Sequence, residues 1–165
     1  MDGAINAFVD KKGFGLKKFA NDEEKKKKEE KDKSIKMSER LNLYKDRQRN
    51  NLSENAYGAI VRLRMDNSHP LGFGYDKEYL SLKLRNRRYA YLESGWNVGT
   101  TQDSTSIVSG FVGFKAKQNF RESLVFGVEE IGRGSVVYMV DNPLFRGFWY
   151  NGKLLFGNAV FLVGN

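Results

Sequence analysis

A chain of 165 residues, 40% hydrophobic and 13% aromatic, is long enough to bury one core and belongs to the globular class rather than the disordered one. The absence of cysteine excludes disulfides, thiolate metal sites and a cysteine nucleophile. The net charge of +8 raises nucleic acid as a partner, but the excess sits in a run of interleaved signs, with Lys25 to Lys28 flanked by Glu23, Glu24, Glu29 and Glu30. Such a run reads as a solvated face and not as a phosphate-tracking stripe, so nucleic acid is not expected.

Residues 3–13 set Ala4, Ile5, Ala7, Phe8 and Val9 at helical spacing, and Gly13 and Gly15 end the segment. A helix this early suggests a chain that starts partway through a fold. No apolar run of 18 residues is present, so no membrane-spanning helix is expected. No basic region precedes an apolar one at the start, so no signal peptide is expected in this chain. Residues 20–35 are charged and of low complexity, and read as a mobile insertion. A second helix is expected from Ser38 as N-cap, with Leu41, Leu43 and Tyr44 as its apolar positions. It should end near residues 50–53, where asparagine favours a turn, placing Lys45 to Arg49 in its last turns against the helix dipole.

Beyond Ala56 the apolar period changes to two. Tyr57, Ala59, Val61 and Leu63 alternate with Gly58, Ile60, Arg62 and Arg64, which predicts a strand over 57–65. Further strands are predicted over 79–84, 89–92, 107–114, 124–129 and 135–140. Gly132-Arg133-Gly134 reads as a hairpin turn. Residues 95–99 and 102–106 read as surface loops, and Gly72-Phe73-Gly74-Tyr75 as a close approach of backbone to another element. Residues 153–163 predict a closing helix, with Leu154, Leu155, Ala159, Val160 and Leu162 available to a buried face. Helices followed by strands, without regular alternation, read by themselves as α+β.

His69 is the only histidine, in the polar loop Asp66-Asn67-Ser68-His69-Pro70 that follows the first predicted strand. Loops at strand ends commonly carry binding residues. One histidine without a glutamate three residues on cannot furnish a carboxypeptidase-type zinc site, which needs three protein ligands and an open position. One histidine and no cysteine cannot make a Cys–His nucleophile pair. No catalytic residue, metal site or cofactor is therefore assigned to this chain. The bland reading of the loop is an Asx-type turn at Asp66 and Asn67, with His69 bonded to a backbone carbonyl.

A second candidate region follows the last strand, where Asp141-Asn142-Pro143 leads into Phe145, Arg146, Phe148, Trp149 and Tyr150. Strand, polar loop and helix in this order is how open α/β sheets present binding groups, although the aromatic residues can equally be core. Arg146 either stacks on an aromatic face or pairs with Asp141 or Asp66. If Asp66, His69, Asp141, Asn142, Arg146 and Trp149 converge, they form a polar network joining two strand ends. That network is either purely structural or a small pocket or docking point. Trp96 and Trp149 are the aromatic residues expected at an interface.

Two blocks also carry a resemblance: GAIVRLRMDNSHPLGFGY at 58–75 and GRGSVVYMVDNPLFRGFW with LLFGNAVFLV in 132–163. Over residues 55–165, and more loosely over the whole chain, they resemble the C-terminal region of large Bacteroidetes-type bacterial zinc carboxypeptidases of the carboxypeptidase A type. There a module similar to class I glutamine amidotransferases follows the peptidase domain. The resemblance implies an α/β fold, the C-terminal part of a three-layer, flavodoxin-like module with a mixed sheet. It implies that residues 1–165 are a single module, a fragment of a longer chain. It further implies a non-catalytic accessory domain of a secreted parent, periplasmic or extracellular, packing on the upstream peptidase domain or aiding presentation of polypeptide substrate. Zinc, its ligands and the catalytic glutamate would lie in that upstream domain. In amidotransferase-like modules the catalytic histidine lies on a loop before a proline, so His69 looks like its relic. The alternative is a stand-alone domain that binds a small molecule or glycan through the His69/Arg146 face.

Overall fold

The computed structural model describes residues 2–19, 43–118 and 120–164. The expected insertion at 20–35 and the Ser38 cap with Leu41 lie outside the described residues. The chain is a mixed α/β unit built on one curled antiparallel sheet. Its strands are β1 (Ala56–Met65), β2 (Glu78–Lys83), β3 (Trp96–Thr101), β4 (Ile107–Val112), β5 (Ser123–Ile131) and β6 (Gly134–Met139). The order is β2-β1-β3-β5-β6, with β4 also pairing β1. The helices are α1 (Asp2–Phe8), α2 (Tyr44–Glu54), α3 (Phe114–Gln118) and α4 (Asn151–Phe161).

β1 is the pivot of the sheet. Ala59, Val61, Leu63 and Met65 are buried while Arg62 and Arg64 face solvent, the alternation of a half-buried antiparallel strand. The alternation fails at its start, where Gly58 has φ +75 and the register with β4 shifts between Tyr57 and Ile60. This bulge turns Tyr57 outward. One edge of β1 pairs β2; the other is shared between β4 and, at Arg64 and Met65, β3.

Two apolar clusters form. The larger joins the buried side of β1 to Tyr79, Val98, Phe126 and Val128, and to Leu155 of α4. The smaller joins Leu16, Tyr89, Leu92, Leu124, Tyr138 and Val140, with Ile5 and Val9 packed against it. β6 supplies both: Val137 and Met139 go to the first, Val136 and Tyr138 to the second. Because successive strand residues point to opposite faces, α4 and the α1 region cover opposite sides of the β5–β6 hairpin.

Several expectations are corrected. Of residues 95–99, expected as a surface loop, all but Gly95 belong to β3, which lies inside the strand order between β1 and β5. A side chain at Gly99 would stand 2.6 Å from the Phe126 ring, so glycine is required there and the strand shows little apolar alternation. Residues 89–92 are not a strand: Tyr89 makes a single bridge to Leu124, and Tyr89 and Leu92 fill the smaller cluster from a loop. Phe114 starts α3 instead of ending β4. α2 runs Tyr44–Glu54, so Lys45 to Arg49 lie in its first half and do not complement its C-terminal dipole; none of its residues is buried. Every ladder among the described residues is antiparallel, so the expected mixed sheet is not found there. Parallel neighbours need a long crossover, usually helical. Among the described residues, the only α-helix in a connection between paired strands is the five-residue α3.

Candidate functional site

The loop after β1 is tied by its own side chains. Asp66 Oδ1 accepts from the Ser68 amide at 3.1 Å and the Ser68 hydroxyl at 2.6 Å. The hydroxyl bond is the main reason its carboxyl is held below the usual carboxylate range. His69 Nδ1 accepts the Leu71 amide at 3.0 Å and so caps the 3-10 turn Pro70–Gly72. The expected Asx turn is therefore present at Asp66, but His69 accepts from a backbone N–H where a bond to a carbonyl was expected. Burial lowers the His69 pKa, with the Asp66 charge opposing it. The neutral ring, with Nδ1 occupied as an acceptor, carries its proton on Nε2.

His69 packs against Trp96 at the start of β3, with ring centroids 5.8 Å apart and planes tilted by 47°. Trp96 itself is 54% exposed. These two rings form one wall of an open cleft of about 520 Å³. Its other walls are Glu130, Arg133 and Ser135 of the β5–β6 hairpin and Leu162 to Gly164 beyond α4.

The second region is organised separately. Asp141 is buried; its Oδ2 accepts from the Ser81 hydroxyl at 2.9 Å, and Lys83 Nζ lies 3.5 Å from its Oδ1. Asn142 Oδ1 accepts the Leu144 amide at 3.0 Å and turns the chain. Arg146 sits at φ +49 with its guanidinium 5.3 Å from the Phe145 ring centroid. Of its two expected roles it takes the stacked one, with no ion pair to Asp141 or Asp66. Trp149 Nε1 donates to the Leu80 carbonyl at 3.3 Å on the outer edge of β2.

The six candidate residues thus do not form one network. Asp66 and His69 share the loop after β1, whereas Asp141, Asn142, Arg146 and Trp149 lie on the crossing between β6 and α4. The partners of Asp141 were missed from sequence, although a signal existed. Ser81 and Lys83 share strand parity with Tyr79, and a lysine on the buried phase of a strand calls for a buried anion. Glu129 is a second missed residue. Its Oε2 accepts from the Gly15 amide at 2.8 Å and the Tyr138 hydroxyl at 2.6 Å. Burial is the main cause that pushes the Tyr138 pKa upward, with Glu129 adding to it.

Among the described residues, no cluster of three or more His, Cys, Asp or Glu is placed to hold a metal ion. No described helix is long and apolar enough to cross a membrane. Comparison with family models, with curated proteins and with solved structures gives no match.

Proposed function

We propose that the chain is a non-catalytic accessory module of a secreted zinc carboxypeptidase of the carboxypeptidase A type, packing on the peptidase domain through α4. The observation that carries this reading is the apolar character of α4 on both of its sides. Gly152, Leu155 and Asn158 are its buried positions, yet Leu154, Phe156 and Val160 point into solvent, Val160 at 55% exposure. A helix that is hydrophobic all round belongs between two bodies, and an exposed apolar patch of this kind marks an interaction surface.

The resemblance in 58–75 and 132–163 supplies the identity of the second body, the upstream peptidase domain. Helices on both sides of the β5–β6 hairpin are compatible with the three-layer, amidotransferase-like module that the resemblance implies. Polar groups at the strand ends also favour a non-catalytic role: Asp66 is held by Ser68, and Asp141 by Ser81 and Lys83. Zinc chemistry would be the work of the upstream domain.

The test begins with the coding sequence upstream of Met1, translated in frame. A His-x-x-Glu segment with a second downstream histidine is expected there. The peptidase domain so encoded, expressed separately, should bind this chain, and Val160→Glu should abolish the complex without lowering the melting temperature of the module. An in-frame stop before Met1, or binding untouched by Val160→Glu, would sink the reading.

A further inference from the structure

We propose that the cleft between the His69 loop, the start of β3 and the β5–β6 hairpin is a saccharide-binding site, with Trp96 as the stacking platform and Glu130, Arg133, Ser135 and His69 as partners for sugar hydroxyls. This inference is independent of the docking role of α4. At about 520 Å³ the cleft falls within the size range of small-ligand sites, roughly 300–1,000 Å³.

Its chemistry selects the ligand class. Trp96 lines the cleft and is half exposed, and an indole is a large apolar surface suited to the C–H face of a sugar ring. Glu130 stands opposite Ser135 in the β5–β6 register, so both side chains leave the same face of the hairpin. Arg133 occupies the two-residue turn between the strands. Positive φ at Gly132 but not at Arg133 is the type II′ pattern, which fixes the turn that carries the guanidinium. Neither Glu130 nor Arg133 is ion-paired among the described residues.

The cleft therefore offers one carboxylate, one guanidinium, one hydroxyl and one imidazole N–H, with formal charges that cancel. A phosphate or other polyanion calls for an excess of cations. Hydroxyl groups, which donate and accept at once, match a carboxylate and a guanidinium side by side. The Leu71 amide occupies Nδ1 of His69, leaving Nε2–H as the donor, and burial favours the neutral ring.

The experiment uses the whole chain. Calorimetric titration is run with methyl glucoside, methyl mannoside, N-acetylglucosamine and the trisaccharides of each, with adenosine as a stacking control. Fluorescence is read in a Trp149→Phe variant, in which Trp96 is the only remaining tryptophan. A saturable signal from at least one saccharide, with a blue shift of Trp96 emission, is expected. Trp96→Ala should weaken that binding about tenfold, and Arg133→Ala severalfold. Arg146→Ala should leave it unchanged. Both weakening substitutions are at exposed positions, and Glu130→Gln gives a third variant that removes only the charge. No saturable response to any saccharide overturns the proposal. So does saccharide binding that survives Trp96→Ala and Arg133→Ala intact, or binding of adenosine in place of the sugars.

Discussion

Lys83 and Asp141 form an ion pair at 3.5 Å with 2% and 7% of their side chains exposed, joining β2 to the chain segment that leaves β6. The Ser81 hydroxyl gives Asp141 its shorter contact, 2.9 Å. Removing one partner of a buried pair strands the other charge, at a cost of about 3–5 kcal/mol. Lys83→Met should therefore lower the urea midpoint sharply. Adding Asp141→Asn should recover most of the loss, because the uncompensated charge is gone and Ser81 keeps a partner. A double substitution as damaging as the single one would show that shape, and not charge, holds this junction.

Two glycines of α4 should respond in opposite directions to the same change. A Cβ at Gly152 would overlap the Pro143 carbonyl oxygen, whereas one at Gly157 meets nothing within 4 Å. Gly152→Ala forces α4 away from the crossing segment and should cost about 1–3 kcal/mol, as overpacking does. Gly157→Ala removes backbone freedom from the unfolded chain at a helical position and should stabilise by about 0.4–1 kcal/mol. Thermal melts of the two variants decide it.

The sole histidine gives a pH signature. Burial depresses the His69 pKa below its ordinary value of 6.5, so the unfolded chain binds the proton better than the folded one. Its contribution is complete above that value and declines as pH falls through it. The wild type should lose stability between about pH 7.5 and pH 5. His69→Asn, which keeps an acceptor for the Leu71 amide but does not titrate, should be flatter over that window. Asp66, also depressed, adds its own loss only in the lower carboxylate range. Parallel profiles for wild type and variant would remove His69 as the cause.

Glu129 fastens the segment after α1 to the sheet by accepting from Gly15 and Tyr138. Glu129→Ala leaves both donors unpaired, at about 1–3 kcal/mol for each buried one. Hydrogen exchange at the Gly15 amide should accelerate more than exchange in β1. Uniform acceleration across the sheet would mean instead that the segment does not open separately.

Much of the strand content is legible in the sequence. β1 shows because Ala59, Val61, Leu63 and Met65 alternate with polar residues, and β5 and β6 because apolar runs flank Gly132-Arg133-Gly134. α4 shows from its apolar density, but its buried side does not. Of the five residues expected to be available there, Leu155 is buried and Ala159 partly so, while Leu154, Val160 and Leu162 face solvent. β3 is hidden because its fit against Phe126 depends on glycine, which leaves no side chain to record a period.

Composition alone determined what this chain cannot hold: with one histidine and no cysteine, neither a three-ligand carboxypeptidase zinc site nor a thiol nucleophile can be assembled. Local pattern also determined the polar turn at Asp66 and the hairpin that carries Arg133. Tertiary structure decided which residues meet. Asp141 finds Lys83 from 58 positions away and Glu129 finds Gly15 from 114, while His69 meets Trp96 and not Arg146. Periodicity records which face of a strand is buried, but it carries no information about which strand lies alongside. The sheet order and curl bring these distant groups within bonding distance.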